Sequence, residues 1–102
     1  MIARIWGGTA TVGNADAYHR HFTTHVAVHL KGIAGHRGAY LLRRQTEGHV
    51  EFLAVTLWDS LETVKQFAGP KPETAIVEPE ARAVLTAFDD VARHYEVAYS
   101  AA

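Results

Sequence analysis

The chain has 102 residues, 48% of them hydrophobic and 21% charged, which is the usage of one globular domain spanning residues 1–102. A formal net charge of −1 and ten scattered Lys and Arg residues argue against a nucleic-acid partner. The absence of cysteine excludes disulfides, thiolate nucleophiles and Cys-type zinc sites. No apolar run is long enough for a signal peptide or a membrane span, so we expect a cytoplasmic protein without a membrane partner.

The first elements are predicted to be a strand and a helix. Met1–Ala10 mixes β-branched and aromatic residues and leads into a turn at Val12-Gly13-Asn14. Asn14 suits the N-cap of a helix that is predicted to continue to Gly35. The apolar stripe by which this helix packs against the sheet consists of Tyr18, Phe22, Val26, Leu30 and Ile33.

The middle of the chain predicts an antiparallel hairpin. Residues 38–44 and 49–58 read as strands, and the glycine that closes residues 45–48 suits the turn between them. In the second strand Leu53, Val55 and Leu57 share one face, whereas Phe52, Ala54, Thr56 and Trp58 share the other. Both faces are apolar, and the chain's own helices can cover only one. We predict that Phe52 and Trp58 lie on the face that the helices leave open.

The last third of the chain predicts two helical pieces and a strand. Ser60 suits the N-cap of a helix that ends before Gly69-Pro70, a second piece starts near Pro79 and runs to Phe88, and residues 94–99 alternate as a strand. The order βαββαβ predicts an α+β fold, a ferredoxin-like antiparallel sheet with both helices on one face. An open aromatic face is an association hazard for a monomer, so we predict a symmetric homodimer through this sheet face.

Four of the seven histidines lie between His19 and His29. His21, His25 and His29 are spaced four residues apart, a row that a proton shuttle or a divalent metal can use. A rotation of about 100° per residue places His29 at the edge of the apolar stripe, His25 on its flank and His21 toward solvent. Three such side chains diverge and no HExxH motif is present, so we expect no metal site. His25 is the predicted general base, with a merely hydrogen-bonded structural histidine as the alternative.

Other side chains complete the predicted site. Trp58, which can stack on a flat ligand, and His94 join His25 as candidate catalytic residues. The alternatives are a core or interface anchor for Trp58 and a dimer-rim contact for His94. Arg43 is either an anion-binding residue or one member of a structural ion pair. The residues predicted to contact the substrate are Trp6, Phe22, His29, Phe52, Phe67 and Arg43.

Three stretches resemble the antibiotic biosynthesis monooxygenase-like family of dimeric α+β barrel proteins. They are residues 50–62 (VEFLAVTLWDSLE), 67–69 (FAG) and 94–97 (HYEV). The resemblance covers nearly the whole chain and implies a dimeric barrel with a pocket between the sheet and its helices. Its broader superfamily includes cofactor-free oxygenases of aromatic polyketides, haem-degrading monooxygenases, isomerases and cyclases, so the reaction stays open.

The chain departs from the patterns of two of these groups. Haem-degrading members have an asparagine in the first strand, a tryptophan in the second helix and a haem-ligating histidine shortly after it. The matching stretches here are residues 4–6 (RIW), Phe67 and residues 75–77 (AIV), which disfavours haem degradation. Polyketide oxygenases pair the strand tryptophan with an asparagine four residues earlier; Trp58 matches, but that position is Ala54. A substrate oxyanion therefore needs another donor, for which His25, Arg43 and His94 are the candidates.

These observations favour a cofactor-independent monooxygenase-like enzyme that acts on a small hydrophobic aromatic or polyketide-like substrate. The sequence shows no nucleotide, flavin or haem motif, so no cofactor is expected and oxygen activation is left to the substrate carbanion. A second hypothesis is a non-catalytic dimeric protein that binds small hydrophobic ligands or acts as an accessory protein. A third is a haem-handling protein that uses one of the histidines.

Overall fold

A computed structural model describes residues 1–101 and shows a sheet with helical segments packed against it. The strands are β1 (Ile2–Thr11), β2 (His36–Thr46), β3 (His49–Trp58), β4 (Ala87–Phe88) and β5 (Arg93–Glu96). The α-helices are α1 (Ala15–His21), α2 (Ala27–Lys31), α3 (Leu61–Ala68) and α4 (Pro79–Val84). A 3₁₀ turn at Val12–Asn14 precedes α1, and a π-helical turn at Phe22–Val26 joins α1 to α2.

The strands form one antiparallel sheet in the order β2-β3-β1-β4, and β5 also pairs with β1. β4 and β5 are thus two pieces of one edge strand, and the intervening Asp89 is tied to β1 by its N–H, which donates to Gly7 O at 2.8 Å. This arrangement confirms the predicted α+β ferredoxin-like fold.

Local signals predicted the central hairpin and the start of α3 correctly. Glu47 and Gly48 form a two-residue turn between β2 and β3, and Gly48 has a φ of +76°, a conformation in which a side chain is strained. Ser60 Oγ accepts from Thr63 N, while Thr63 Oγ1 accepts from Ser60 N, so a reciprocal capping box starts α3. Gly69, with a φ of +89°, follows its end.

The first helix runs without a break over residues 15–31, but it contains a π-helical turn at Phe22–Val26 that was not predicted and it ends before Gly35. Two threonines in the π-helical turn bond to the preceding turn: Thr23 Oγ1 donates to His19 O at 3.1 Å, and Thr24 Oγ1 donates to Arg20 O at 2.7 Å. Hydroxyl groups that compete for helix carbonyls in this way disturb the regular ladder. Asn14 makes no side-chain cap, and Thr11 Oγ1 instead accepts from Asn14 N at 3.2 Å.

The ends of the last two predicted elements were wrong. The helix that begins at Pro79 stops at Val84 and does not reach Phe88, because Ala87 and Phe88 pair with strand β1. Thr86 donates to Thr9 O from both its backbone N, at 2.8 Å, and its Oγ1, at 3.0 Å. The final strand covers Arg93–Glu96 instead of residues 94–99.

The helices cover the opposite face of the sheet from the one that was predicted. Trp58 is 0% exposed and Phe52 is 3% exposed, and both lie beneath the helices. The open face carries the other set of alternating residues and is mainly aliphatic. Its apolar residues are Ile5, Tyr40, Leu42, Leu53, Val55, Leu57 and Tyr95, and the strand registers also place Arg44, Glu51 and Arg93 on it. Strand alternation defines two faces but does not show which one the helices cover, which depends on the crossovers.

The helices of residues 1–101 are too short or too polar to cross a membrane.

Candidate functional site

The helices and the sheet enclose a cavity of about 60 Å³. Its polar lining groups belong to Arg4, His21, Thr56 and Glu78. Ile76 and Glu78 are also exposed to solvent, so the mouth of the cavity lies between the loop after α3 and the start of α4. The apolar lining consists of Trp6, Tyr18, Phe22, Val26, Leu30, Ala54, Phe67, Ile76, Val77 and Ala81.

Arg4, on β1, is a buried cation at one end of this cavity and is only 5% exposed. Its guanidinium donates to Pro72 O and, at 2.7 Å, to Thr74 O, and it lies 5.5 Å from the centre of the Phe67 ring. Burial lowers the pKa of Arg4 to about 10, which leaves the group protonated at neutral pH. Arg4 therefore fixes the loop that forms the cavity mouth and keeps a positive charge inside.

His94, on β5, is a partner of Arg4. Its Nε2 lies 3.1 Å from Arg4 Nη1. Because arginine has no acceptor, Nε2 must accept this bond, so His94 is neutral and carries its proton on Nδ1. Burial, and secondarily the charge of Arg4, lower the pKa of His94, which agrees with this assignment. The Nε2 lone pair is occupied, so His94 positions Arg4.

His21, at the end of α1, lines the cavity and is 7% exposed. Neither ring nitrogen has a hydrogen-bond partner in the part of the chain that the structure describes. The nearest carboxylate atom, Glu78 Oε1, lies 3.5 Å from Nε2, too long for a good hydrogen bond but within ion-pair distance of an imidazolium. A buried histidine without a partner carries a desolvation cost that a ligand can offset.

The structure places the three helical histidines differently from the sequence prediction. His21 is buried, whereas His25 and His29 are exposed, which reverses the predicted order. The π-helical turn changes the phase of the helix after residue 21, and α4 packs on α1 and covers the His21 flank. His25 does not line the cavity, although its ring lies 5.3 Å from that of His21.

Trp58 is a support for the cavity wall. Its indole Nε1 donates to Thr56 Oγ1 at 2.8 Å, and its ring lies 6.1 Å from that of Phe67. Thr56 and Phe67 line the cavity, but Trp58 itself does not. Its contacts therefore match the core-anchor alternative.

Three predicted substrate contacts line the cavity, and three do not. Trp6, Phe22 and Phe67 lie in its wall, and Trp6 is oriented by Nε1, which donates to Asp89 O at 2.9 Å. The other three lie outside it. Phe52 packs on Tyr18, Arg43 lies over Phe52 and pairs with Asp16 at 3.5 Å, and His29 lies 5.8 Å from Phe67.

Sequence reasoning missed Arg4 and His21, two buried ionisable groups of the cavity. A signal for Arg4 existed, because strand alternation puts it on the same face as Trp6, Gly8 and Ala10, where an unpaired charge is unexpected. His21 lies three residues after Tyr18, which places it on the flank of the apolar stripe. No group of three or more His, Asp or Glu side chains within residues 1–101 is arranged to hold a metal ion.

A larger groove of about 600 Å³ lies between the open sheet face and the split edge strand. It is shallow, and its lining mixes three arginines, Arg43, Arg44 and Arg93, with Glu51 and Asp89. It has no buried unpartnered polar group. The smaller cavity under the helices is therefore the better candidate for a ligand site.

Together, the fold and this cavity define the class of the protein: an α+β ferredoxin-like domain with a small hollow between its helices and its sheet. Solved structures identify the particular fold. A candidate antibiotic biosynthesis monooxygenase from Bacillus cereus is 18% identical with a TM-score of 0.69, over 99% of this chain and 96% of that one. The haem degrader MhuD from Mycobacterium tuberculosis, with two haems bound in its active site, is 21% identical with a TM-score of 0.70, over the full length of both chains.

A mutant of MhuD with two manganese protoporphyrin IX molecules per active site gives a TM-score of 0.72 at 21% identity, over 100% of this chain and 99% of that one. The chain has the antibiotic biosynthesis monooxygenase-like fold, as its sequence resemblance implied. A comparison with protein-family models found no match. A comparison with curated proteins also found none.

Proposed function

We propose that the protein is a cofactor-independent monooxygenase-like enzyme whose base, His21, removes a proton from a small aromatic substrate in the helix–sheet cavity. The observation that carries this proposal is the unpartnered, buried imidazole in a wall that is otherwise aromatic and aliphatic. An unsatisfied buried group of this kind costs about 1–3 kcal/mol, and such groups concentrate at functional sites.

The proposed first step is a proton transfer. The neutral imidazole of His21 accepts the proton of an acidic C–H bond, and the imidazolium that forms is stabilised by Glu78 Oε1 at 3.5 Å from Nε2. Because the Glu78 side chain is 46% exposed at the mouth of the cavity, water screens this ion pair and its contribution is modest. Glu78 thus has a positioning role.

The proposed second step is oxygenation of the substrate carbanion by dioxygen. A methylene group flanked by electron-withdrawing groups gives R₂CH₂ + O₂ → R₂C=O + H₂O, so one oxygen atom enters the product and the other leaves as water. The electrons come from the two C–H bonds, and no outside reductant is required. The protein's part is to hold the anion and to exclude bulk water.

Oxygen consumption with 1,3-indanedione, a small aromatic compound with an acidic methylene group, tests this function. We expect the wild-type protein to accelerate oxygen uptake and His21→Ala to lose about 10²-fold or more of the acceleration. His25→Ala is the matched control because His25 lies one turn away and outside the cavity. Loss of activity in His25→Ala alone would restore the sequence-based assignment, and binding without oxygen uptake would favour the non-catalytic binding protein.

The size of the cavity limits the substrate. A cavity of about 150 Å³ holds benzene in another protein, so the 60 Å³ here accepts one aromatic ring only if Ile76 moves outward. Ile76 is 43% exposed, which gives it room to move. We therefore propose a substrate of one or two rings, of which one enters the cavity.

Haem does not fit the residues that line this cavity. A porphyrin is far larger than the enclosed space, and the stretch in which the resemblance implies a haem-ligating histidine, residues 75–77 (AIV), contains no histidine. The solved MhuD structures contain bound haem or manganese protoporphyrin IX, and this binding is a property of MhuD. We expect no stoichiometric Soret shift when this protein is titrated with haem.

We also propose that a second copy of the chain covers the open sheet face. Paired residues form apolar rows across this face, for example Tyr40 with Val55 and Val55 with Ile5. Contiguous apolar surface of this kind is unusual on a monomer. The dimer is thus proposed through the aliphatic face, and not through Phe52 and Trp58. A cytoplasmic location stays a prediction.

A further inference from the structure

We infer that the natural ligand of the helix–sheet cavity is an aromatic carboxylic acid, and that Arg4 binds its carboxylate group. The inference deepens the proposed function, since it rests on this cavity being the ligand site. It adds a charged recognition element, Arg4, to the site. The ligand then carries a negative charge on its carboxylate before His21 removes any proton.

The first argument is the hydrogen-bonding capacity that Arg4 retains. A guanidinium has five N–H donors. Three of them are used, by Pro72 O, His94 Nε2 and Thr74 O. The Nε–H and one N–H of Nη2 remain for a ligand. Two N–H donors on one planar group are what a carboxylate needs for a bidentate contact.

The second argument is the charge that the fold leaves uncompensated. The partners of Arg4 are two carbonyl oxygens and a neutral imidazole, and no Asp or Glu oxygen in residues 1–101 lies within ion-pair distance of it. Three much more exposed arginines, by contrast, do have carboxylate partners: Arg37, Arg43 and Arg44. A buried unpaired charge is expensive, and an anion in the cavity offsets that cost.

The third argument concerns the rest of the ligand. The guanidinium lies over the Phe67 ring, and Trp6, Tyr18 and Phe22 form the adjoining wall. Aromatic walls favour a flat ring packed by its face or edge. Glu78 contributes the cavity's other charge, but its side chain is 46% exposed and lies at the mouth, where water screens it. A ligand with its carboxylate at Arg4 and its ring against the aromatic wall uses both the remaining donors of Arg4 and the apolar lining.

The test compares benzoate with benzamide, which has nearly the same shape but no charge. Binding is measured by titration calorimetry without turnover. We expect the wild-type protein to bind benzoate at least tenfold more tightly than benzamide. In Arg4→Gln the affinity for benzoate falls at least tenfold and the affinity for benzamide is unchanged. Equal affinities of the wild-type protein for the two probes, or unchanged benzoate binding in Arg4→Gln, would overturn the inference.

Arg93→Gln is the matched control, because Arg93 lies in the open groove, where a cation can also attract benzoate. We expect it to bind benzoate as the wild-type protein does. Should Arg93→Gln lose the binding instead, the site is the open groove and the inference is wrong.

A second variant keeps the test decisive if Arg4→Gln fails to fold once the loop contacts are lost. Ala54 lines the cavity, so Ala54→Leu fills it without touching the charge. We expect this variant to lose benzoate binding, and retained binding would overturn the inference. This inference and the proposed function can fail separately. Benzoate selectivity without oxygen uptake would contradict only the monooxygenase activity. Oxygen uptake without benzoate selectivity would contradict only the carboxylate ligand.

Discussion

The two faces of the sheet are both apolar, yet they differ in what they bury. The covered face holds the large aromatic side chains together with the buried polar groups Arg4 and Thr56, and His21 packs onto it from α1. The open face holds aliphatic side chains that are half-buried or exposed, such as Leu53 and Leu42. The difference separates two tasks. Chemistry belongs to the face where charge is removed from water, and association belongs to the face whose centre is aliphatic and whose arginines, Arg44 and Arg93, are exposed to solvent.

The largest expected difference between the faces is in stability. Trp58→Ala removes a fully buried ring and should lower the free energy of unfolding by about 3–5 kcal/mol, because the cavity it leaves cannot collapse completely. Tyr40→Ala, on the open face, should cost about 1 kcal/mol or less at a protein concentration at which the proposed dimer is dissociated, since Tyr40 is 61% exposed in one copy. Urea denaturation monitored by circular dichroism measures both. Equal losses would show that the faces contribute equally to the core.

The second difference is in association. Leu53→Asp places a charge in the middle of the open face and should weaken the proposed dimer by about 100-fold or more, about 3 kcal/mol, because the charge loses its water in the interface. Leu61→Asp is the control, since Leu61 is 43% exposed at the start of α3, on the helix side. Light scattering across a dilution series reports the mass. A wild-type protein that is monomeric throughout would remove the association role of this face.

The third difference concerns the unpartnered imidazole. His21→Phe replaces two buried nitrogens without partners by an apolar ring of similar shape, so we expect the free energy of unfolding to rise by about 1 kcal/mol. His25→Phe should change it by less than about 0.5 kcal/mol because His25 is exposed. Urea midpoints at fixed pH compare the two variants. A loss of stability in His21→Phe would mean that the imidazole has a structural role.

Local features of the fold were predictable from sequence. The Glu47-Gly48 turn and the Ser60 cap act over three or four residues, so the information lies where the structure forms. The end of α4 was not predictable in this way. It is set by the bonds of Thr86 to Thr9, a residue far away in the chain.

The site was less predictable because its polar groups are defined by distant partners. Arg4 bonds to Pro72 and Thr74, 68 and 70 residues away, and nothing around residue 4 indicates these contacts. His21 is buried because α4 covers α1 and because a π-helical turn follows it, and a uniform 100° rotation includes neither effect. Phe22 and Phe67 were found because apolar periodicity is a local signal.

The smallest expected difference between the faces is in pH dependence. Burial lowers the pKa of two histidines that contact covered-face residues: His94, beside Arg4, and His36, whose ring is 5.2 Å from that of Trp58. Their neutral forms are favoured in the folded state, so the unfolded chain binds protons first as the pH falls through about 6.5. The stabilisation is therefore complete above about pH 6.5 and is lost progressively as the pH falls toward the lowered folded-state values.

His94→Gln isolates this effect because an amide oxygen can still accept from Arg4. We expect its free energy of unfolding to fall less steeply between pH 7 and about pH 5 than that of the wild-type protein. His49→Gln is the open-face control, because His49 is exposed at the start of β3, and we expect this variant to have the wild-type slope. Urea unfolding at a series of pH values gives the slopes. Identical slopes for His94→Gln and the wild-type protein would mean that His94 is not held neutral by the fold, and the assignment of its Nε2 as the acceptor from Arg4 would fail with it.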